Sequence, residues 1–201
     1  DAEPDSDVVV SVTSADTGEV TASPALLTFT SSNWDTAQTV TVTGVDDDII
    51  DGSISTTITM SVVDASSDNN FDSVADQTVT VTTSDDDTAG FTLSKTTAAV
   101  TEAGGTDTFT VVLDAEPDSD VVVSVTSADT GEVTASPASL TFTSGNWDTA
   151  QTVTVTGVDD NIIDGSISTT ITMSVVDASS DDNFDSVADQ TVTVTTSDDD
   201  T

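Results

Sequence analysis

Thr152-Val153-Thr154-Val155-Thr156-Gly157-Val158-Asp159-Asp160-Asn161-Ile162-Ile163-Asp164-Gly165 decides how this chain is read. Val153 and Val155 alternate with threonines, the period-two pattern of a strand that buries one face. Valine and threonine are both β-branched and favour extended backbone. Gly157 reads as a bulge near the strand's end. The strand then empties into a loop carrying Asp159, Asp160 and Asp164 with no base among them. Such a loop either lies solvated or offers oxygens to a hard cation, which takes about six to eight of them.

The stretch occurs twice. Residues 1–88 and 114–201 align at an offset of 113 and differ only at Leu26/Ser139, Ser32/Gly145, Asp48/Asn161 and Asn69/Asp182. That period is the size of a whole domain and too long for a solenoid unit. The chain therefore reads as a piece of a bead-on-a-string array, with residues 1–87 a partial repeat lacking its first two strands and residues 88–201 a complete one. The partial repeat is expected to expose open sheet edges, and strand completion by another chain would cover them.

Composition narrows the class. The chain has 201 residues, 38 acids and one base, Lys95, for a net charge of −37. Nucleic acid needs a Lys/Arg surface, so it is excluded as a partner. The same charge disfavours anionic membrane surfaces. No apolar run reaches the roughly 18 residues of a membrane span, so no membrane insertion is expected. With no Cys and no His, disulfides, zinc and His-based catalysis drop out. Self-repulsion at this charge opposes the compact state unless salt or bound cations relieve it.

In the second repeat Phe91, Leu93 and Val100 mark a first strand, broken near Thr96-Thr97 and ending at Glu102. Phe109, Val111 and Leu113 alternate in a second; Val121, Val123 and Val125 in a third. Leu140 and Phe142 lie in a fourth, after the Pro137 break. Val153 and Val155 form a fifth, Ile167 to Val175 a sixth, and Val192 and Val194 a seventh. Seven short alternating strands separated by turns in about 113 residues predict an all-β, seven-stranded Greek-key immunoglobulin-like sandwich. Trp147, in the loop before the fifth strand, is expected to plug one end of the core.

Strand parity then predicts where the acids go. If strands run alternately up and down, the odd-numbered connections share one pole. The first carries Glu102 and Asp107, the third Asp129 and Glu132, the fifth Asp159, Asp160 and Asp164, and the exit Asp198, Asp199 and Asp200. So many carboxylates at one place are costly, and divalent cations remove the cost. Parity also makes the chain enter at one pole and leave at the other, so successive repeats are expected to stack end to end. Asp85, Asp86 and Asp87 would then face the pole built by Asp118, Asp120, Asp181 and Asp182, where ions would lock neighbouring repeats together.

Val100-Thr101-Glu102-Ala103-Gly104, Leu140-Thr141-Phe142, Thr152-Val153-Thr154-Val155, the Asp-Asp-x-Ile-x-Asp-Gly loop and the closing Asp-Asp-Asp together resemble the Calx-β domain, a Ca²⁺-binding sandwich. The resemblance spans the whole second repeat. It implies several Ca²⁺ per repeat, bound by Glu102, Asp129, Asp159, Asp160, the carbonyl of Ile162, Asp164, and Asp198 to Asp200. In the first repeat the matching positions are Asp16, Asp46, Asp47, Ile49, Asp51 and Asp85 to Asp87, with the Glu absent. Near-identical tandem copies of such acidity further resemble the extender region of giant RTX (repeats-in-toxin) adhesins of Gram-negative marine bacteria. That likeness implies an extracellular, cell-surface spacer that projects a ligand-binding region, with neighbouring repeats of the same chain as its partners.

Other readings are weaker. A glycan- or protein-binding adhesion module would want variable, aromatic-rich loops, whereas the two repeats carry nearly the same loops and the chain has two Trp and no Tyr. Asp16-Thr17-Gly18 and Asp129-Thr130-Gly131 match the aspartic-protease tripeptide, but that enzyme pairs two such loops across one cleft. Counting back from Gly52 puts Ile49 where an EF-hand needs an oxygen ligand. No enzyme is expected.

Overall fold

The computed structural model describes residues 2–200. It divides into two compact units, one of residues up to Asp47 with Asp51–Asp85, the other of Asp48–Ile50 with Asp86 onward. Strands are the main regular structure of both, with only short 3-10 turns beside them.

In the first unit, β1 (Val8–Ser14), β2 (Val20–Ser23), β3 (Leu26–Phe29), β4 (Thr41–Gly44), β5 (Ile54–Val62) and β6 (Gln77–Thr83) form two sheets, β3-β1-β5-β6 and β2-β4. All pairings are antiparallel. The core is small: Val12, Val20, Leu27 and Ile58.

The second unit continues with β7 (Phe91–Leu93), β8 (Thr97–Thr101), β9 (Thr106–Leu113), β10 (Val121–Ser127), β11 (Val133–Ser136), β12 (Ser139–Phe142), β13 (Gln151–Gly157), β14 (Ile167–Val175) and β15 (Gln190–Ser197). One sheet runs β12-β10-β14-β15-β8 and the other β11-β13-β9-β7. Alternate residues of each sheet point inward: Val123, Val125, Ile171, Val192 and Val194 from one, Phe109, Val111, Val153 and Val155 from the other. This is an all-β immunoglobulin-like sandwich, with the two inner faces making one core. Trp147 packs half-buried against that core.

Two strands switch sheets. The first expected strand breaks as predicted: β7 pairs antiparallel with β9, while β8 crosses to the other sheet and pairs parallel with β15. Lys95 sits in the crossing and binds Asp107 at 2.6 Å, which removes Asp107 from the acidic pole and holds its carboxyl below the usual range. Val133–Ser136 also forms a strand, in a stretch that sequence reading leaves unassigned between the third and fourth strands. It pairs with β13, and the chain passes through the cis Ser136–Pro137 bond to β12 in the opposite sheet. The sixth and seventh expected strands appear as β14 and β15.

Gly157 is not a bulge. It pairs in register with Val133 and its amide donates to Gly105 O at 3.0 Å. A Cβ there would land on the carbonyl oxygen of Thr101. The glycine thus lets β13 press against the end of β8, directly before Glu102. Its counterpart Gly44 would meet only the Thr83 methyl, at 3.3 Å. We predict that Gly157→Ala destabilises the second unit by about 1–3 kcal/mol through overpacking against backbone, while Gly44→Ala changes stability by less than about 0.5 kcal/mol. Urea unfolding followed by tryptophan fluorescence checks this; equal costs at both positions would contradict it.

Candidate metal centre

Four segments bring acids to one end of the second sandwich. β8 ends at Glu102, the turn before β11 supplies Glu132, the loop after β13 supplies Asp160 and Asp164, and the chain leaving β15 supplies Asp198 and Asp200. They form two groups, Glu102–Asp198–Asp200 and Glu132–Asp160–Asp164, within each of which one oxygen per residue lies within 4.8 Å of the others.

Backbone geometry fixes these groups. Asp198 Oδ2 accepts from the amide of Gly165 at 2.8 Å and its Oδ1 from that of Asp200 at 2.8 Å. These amides hold the Asp198 carboxyl below its ordinary pKa. Gly165 adopts φ +74°, a left-handed conformation that suits glycine. Asp160 Oδ1 accepts from Ile162 N at 2.7 Å, so the loop folds back on one of its own acids.

Burial then sets the electrostatics. Glu102 is 1% exposed and Glu132 8%. Both Oε atoms of Glu102, Oε2 of Glu132 and Oδ2 of Asp200 are buried without a hydrogen-bond partner. Burial raises the Glu102 pKa most, followed by Asp198, Asp164, Asp160 and Glu132. Burial and then Asp164, Asp129 and Asp160 raise Glu132. Burial, then Asp198, Asp199, Asp159 and Asp160, raise Asp200. Lys95, the chain's only basic side chain, pairs with Asp107, and no base among the described residues neutralises these groups.

Other residues singled out in the sequence take different places. Asp129 is exposed and its Oδ1 accepts from Gly131 N at 2.9 Å, closing its own turn. Glu132, three residues on, is the acid that enters the cluster. Asp159 and Asp199 stay exposed at the cluster's margin, and the Ile162 side chain is 60% exposed.

In the first unit Glu19, Asp47 and Asp51 come together in the same way. Burial, then Glu19, Asp47 and Asp85, raise the Asp51 pKa. This group is more open: Asp47 and Asp51 are exposed, and Thr83 Oγ1 donates to Glu19 Oε2 at 2.7 Å. Asp85 Oδ2 accepts from Gly52 N at 2.8 Å. Asp16 repeats the local turn, accepting from Gly18 N at 2.9 Å, and Asp46 is exposed. Ile49 belongs to the second unit, where it bridges Glu116; Asp86 and Asp87 also belong to that unit.

At the opposite pole, Asp181 is buried but satisfied. Its Oδ2 accepts from Ser119 N and its Oδ1 from Asn183 N, both at 2.9 Å. Asp118, Asp120 and Asp182 are exposed.

The donor set is all oxygen, and the orphaned buried oxygens fit a hard divalent cation better than any protein donor within reach. Glu102, Asp198 and Asp200 would hold one ion, and Glu132, Asp160 and Asp164 another, supplying the positive charge the pole lacks.

No protein-family model matches the chain, and no curated protein does. Among solved structures, domains 4 and 5 of the S-layer protein SbsC are similar at TM-score 0.45 and 18% identity, over 94% of this chain and 70% of that one. The apo form of the Calx CBD1 domain is similar at TM-score 0.43 and 16% identity, over 57% of this chain and 100% of that one. The E. coli chaperone DraB gives TM-score 0.40 and 9% identity, over 54% and 55%. No helix among the described residues is long and apolar enough to cross a membrane.

Glu102, Glu132 and Asp200 take up protons more readily folded than unfolded. Their contribution is therefore full below the unfolded pKa and is lost as pH rises through the folded one. In chelator we predict that the melting temperature rises as pH falls from about 7 to about 5, and that Glu102→Gln flattens the rise. Scanning calorimetry across that range tests it; a melting temperature that falls on acidification in chelator, with Glu102→Gln making no difference, would contradict it.

Proposed function

We propose that the acidic pole of the second unit binds Ca²⁺ and that the chain is a spacer in an extracellular, cell-surface adhesin, its repeats stiffened by the ions. The observation that carries this reading is the set of buried, unpartnered carboxylate oxygens of Glu102, Glu132 and Asp200. A buried charge without a partner costs several kcal/mol, so it is retained where a counter-charge arrives. The near-identity of the two repeats supports a spacer over a recognition module, because a mechanical element needs the same part many times. The role assigned to the pole is structural, not catalytic.

What this chain's residues do follows from where they are anchored. Glu102 hangs from the end of β8, Glu132 from the start of β11, Asp160 and Asp164 from the loop after β13, and Asp198 and Asp200 from the tail of β15. A cation shared among them ties both sheets and the exit segment together at one end. Chelation frees the same segments to separate under their own repulsion.

Ca²⁺ titration by calorimetry, with melting curves at matched ionic strength in CaCl₂ and NaCl, tests the proposal. At about 1,000-fold over its dissociation constant each independent ion adds about 4 kcal/mol. Glu132→Gln is expected to weaken binding at least tenfold, and Asp129→Asn to leave it within about twofold, since a lost charged ligand is worth more than about 1.4 kcal/mol. Equal stabilisation by the two salts, with no saturable heat, would overturn it.

A further inference from the structure

Two buried atoms in the second unit each lack what the other offers. Thr196 is 0% exposed and its Oγ1 has no hydrogen-bond partner; Glu132 is 8% exposed and its Oε2 has none either. The first is a hydroxyl with one proton to donate. The second is a carboxylate oxygen, which can only accept while ionised. The offset of 113 makes Thr83 and Glu19 their counterparts in the first unit. There the same two atoms meet: Thr83 Oγ1 donates to Glu19 Oε2 at 2.7 Å.

That bond does not take Glu19 out of its acidic group. Glu19 still brings an oxygen within 4.8 Å of those of Asp47 and Asp51. A carboxylate has two oxygens, so one can accept from a hydroxyl while the other serves the group. Outer donors fix the orientation of metal-binding carboxylates in this way.

The strand places Thr196 for the same task. It lies on the inward face of β15 with Val192 and Val194, two residues before Asp198. It faces Ile167 on β14 and Val100 on β8, and Val100 is itself two residues before Glu102. The hydroxyl is therefore one inward step below the acidic pole. Burial alone does not give a threonine this place. Thr169 on β14 is 3% exposed with an orphaned Oγ1, and its counterpart Thr56 is orphaned as well. That position meets no acceptor in either unit, which makes Thr169 a control of the same chemistry.

We propose that Thr196 is a positioning residue of the acidic pole: when a cation occupies the Glu132–Asp160–Asp164 group, its hydroxyl donates to Glu132 Oε2 and holds the other oxygen of Glu132 toward the ion. This role rests on the reading of that group as a cation site. An ion bound through one oxygen leaves the other buried and without a donor, which is costly. Closing the bond to Thr196 satisfies both orphans at once, so ordering of Glu132 and binding of the ion reinforce each other.

The test is Ca²⁺ titration calorimetry on the full chain and its variants, with melting curves in chelator. The binding step to follow is the one that Glu132→Gln weakens. Thr196→Val keeps the side-chain shape and removes the donor. It is expected to weaken that step about tenfold or more, the range for loss of an outer donor. Its melting temperature in chelator should hold or rise, because an unpartnered buried hydroxyl is gone. Thr196→Ala should weaken the same step. Thr196→Ser keeps the donor and should bind within about twofold of the unmodified chain, as should Thr169→Val. Unchanged affinity in Thr196→Val, an equal loss in Thr169→Val, or no recovery in Thr196→Ser would overturn the role of Thr196 and leave the cation site standing. A titration with no step that responds to Glu132→Gln would overturn the site and this role together.

Discussion

A glutamate with nowhere to put its charge organises this molecule. Glu102 is enclosed at the end of β8, both its oxygens lack donors, and its nearest charged neighbours are other carboxylates. Burial of an ionised carboxyl on these terms opposes folding unless it takes a proton or a cation. The sandwich supplies the stiffness that keeps it there. β8 is held against β15 by a parallel ladder from Thr193/Thr97 to Ser197/Thr101, and Gly157 lets β13 close on the Thr101 carbonyl. Loosening either contact would let Glu102 swing into water and dissolve the site.

The two units make an internal comparison of what one strand pair does. Their sequences are nearly the same, yet the first has a core of four buried hydrophobics and an open acidic group, and the second has a core of nineteen and a closed one. The segment from β7 to β9 accounts for both differences. It brings Phe91, Phe109, Val111 and Leu113 to the core and Glu102 to the pole. Core completion and assembly of the Glu102–Asp198–Asp200 group therefore depend on the same segment in this fold.

Much of this was legible in the sequence because alternation of valine with threonine is a strong signal. β13 and β15 carry it outright, β9, β10 and β14 carry the same period with other residues, and strand parity places Glu102, Glu132, Asp160, Asp164, Asp198 and Asp200 at one end, where the structure has them close together. β11 was not legible: Val133-Thr134-Ala135-Ser136 has one large apolar side chain, and its strand character comes from pairing with β13. Gly157 read as a bulge because a glycine in a strand signals either a bulge or a close approach, and only the neighbour at Thr101 distinguishes them. Loop position alone favours Asp129 over Glu132. The usable signal lay in turn chemistry: Asp in an Asp-x-Gly turn spends its oxygen on the glycine amide, which leaves the longer acid beside the strand free to face inward. Asp181 shows the same effect, since its oxygens cap backbone amides that only the folded loop presents.

The most direct test of the central claim is anomalous diffraction from crystals of the full chain grown with Ca²⁺ and then exchanged for a heavier, anomalously scattering cation of similar size. Peaks are expected within bonding distance of Glu102 and Asp200, and of Glu132 and Asp164. Protonated carboxyls hydrogen-bonded to one another there, or side chains turned out to solvent with no peak between them, would contradict it.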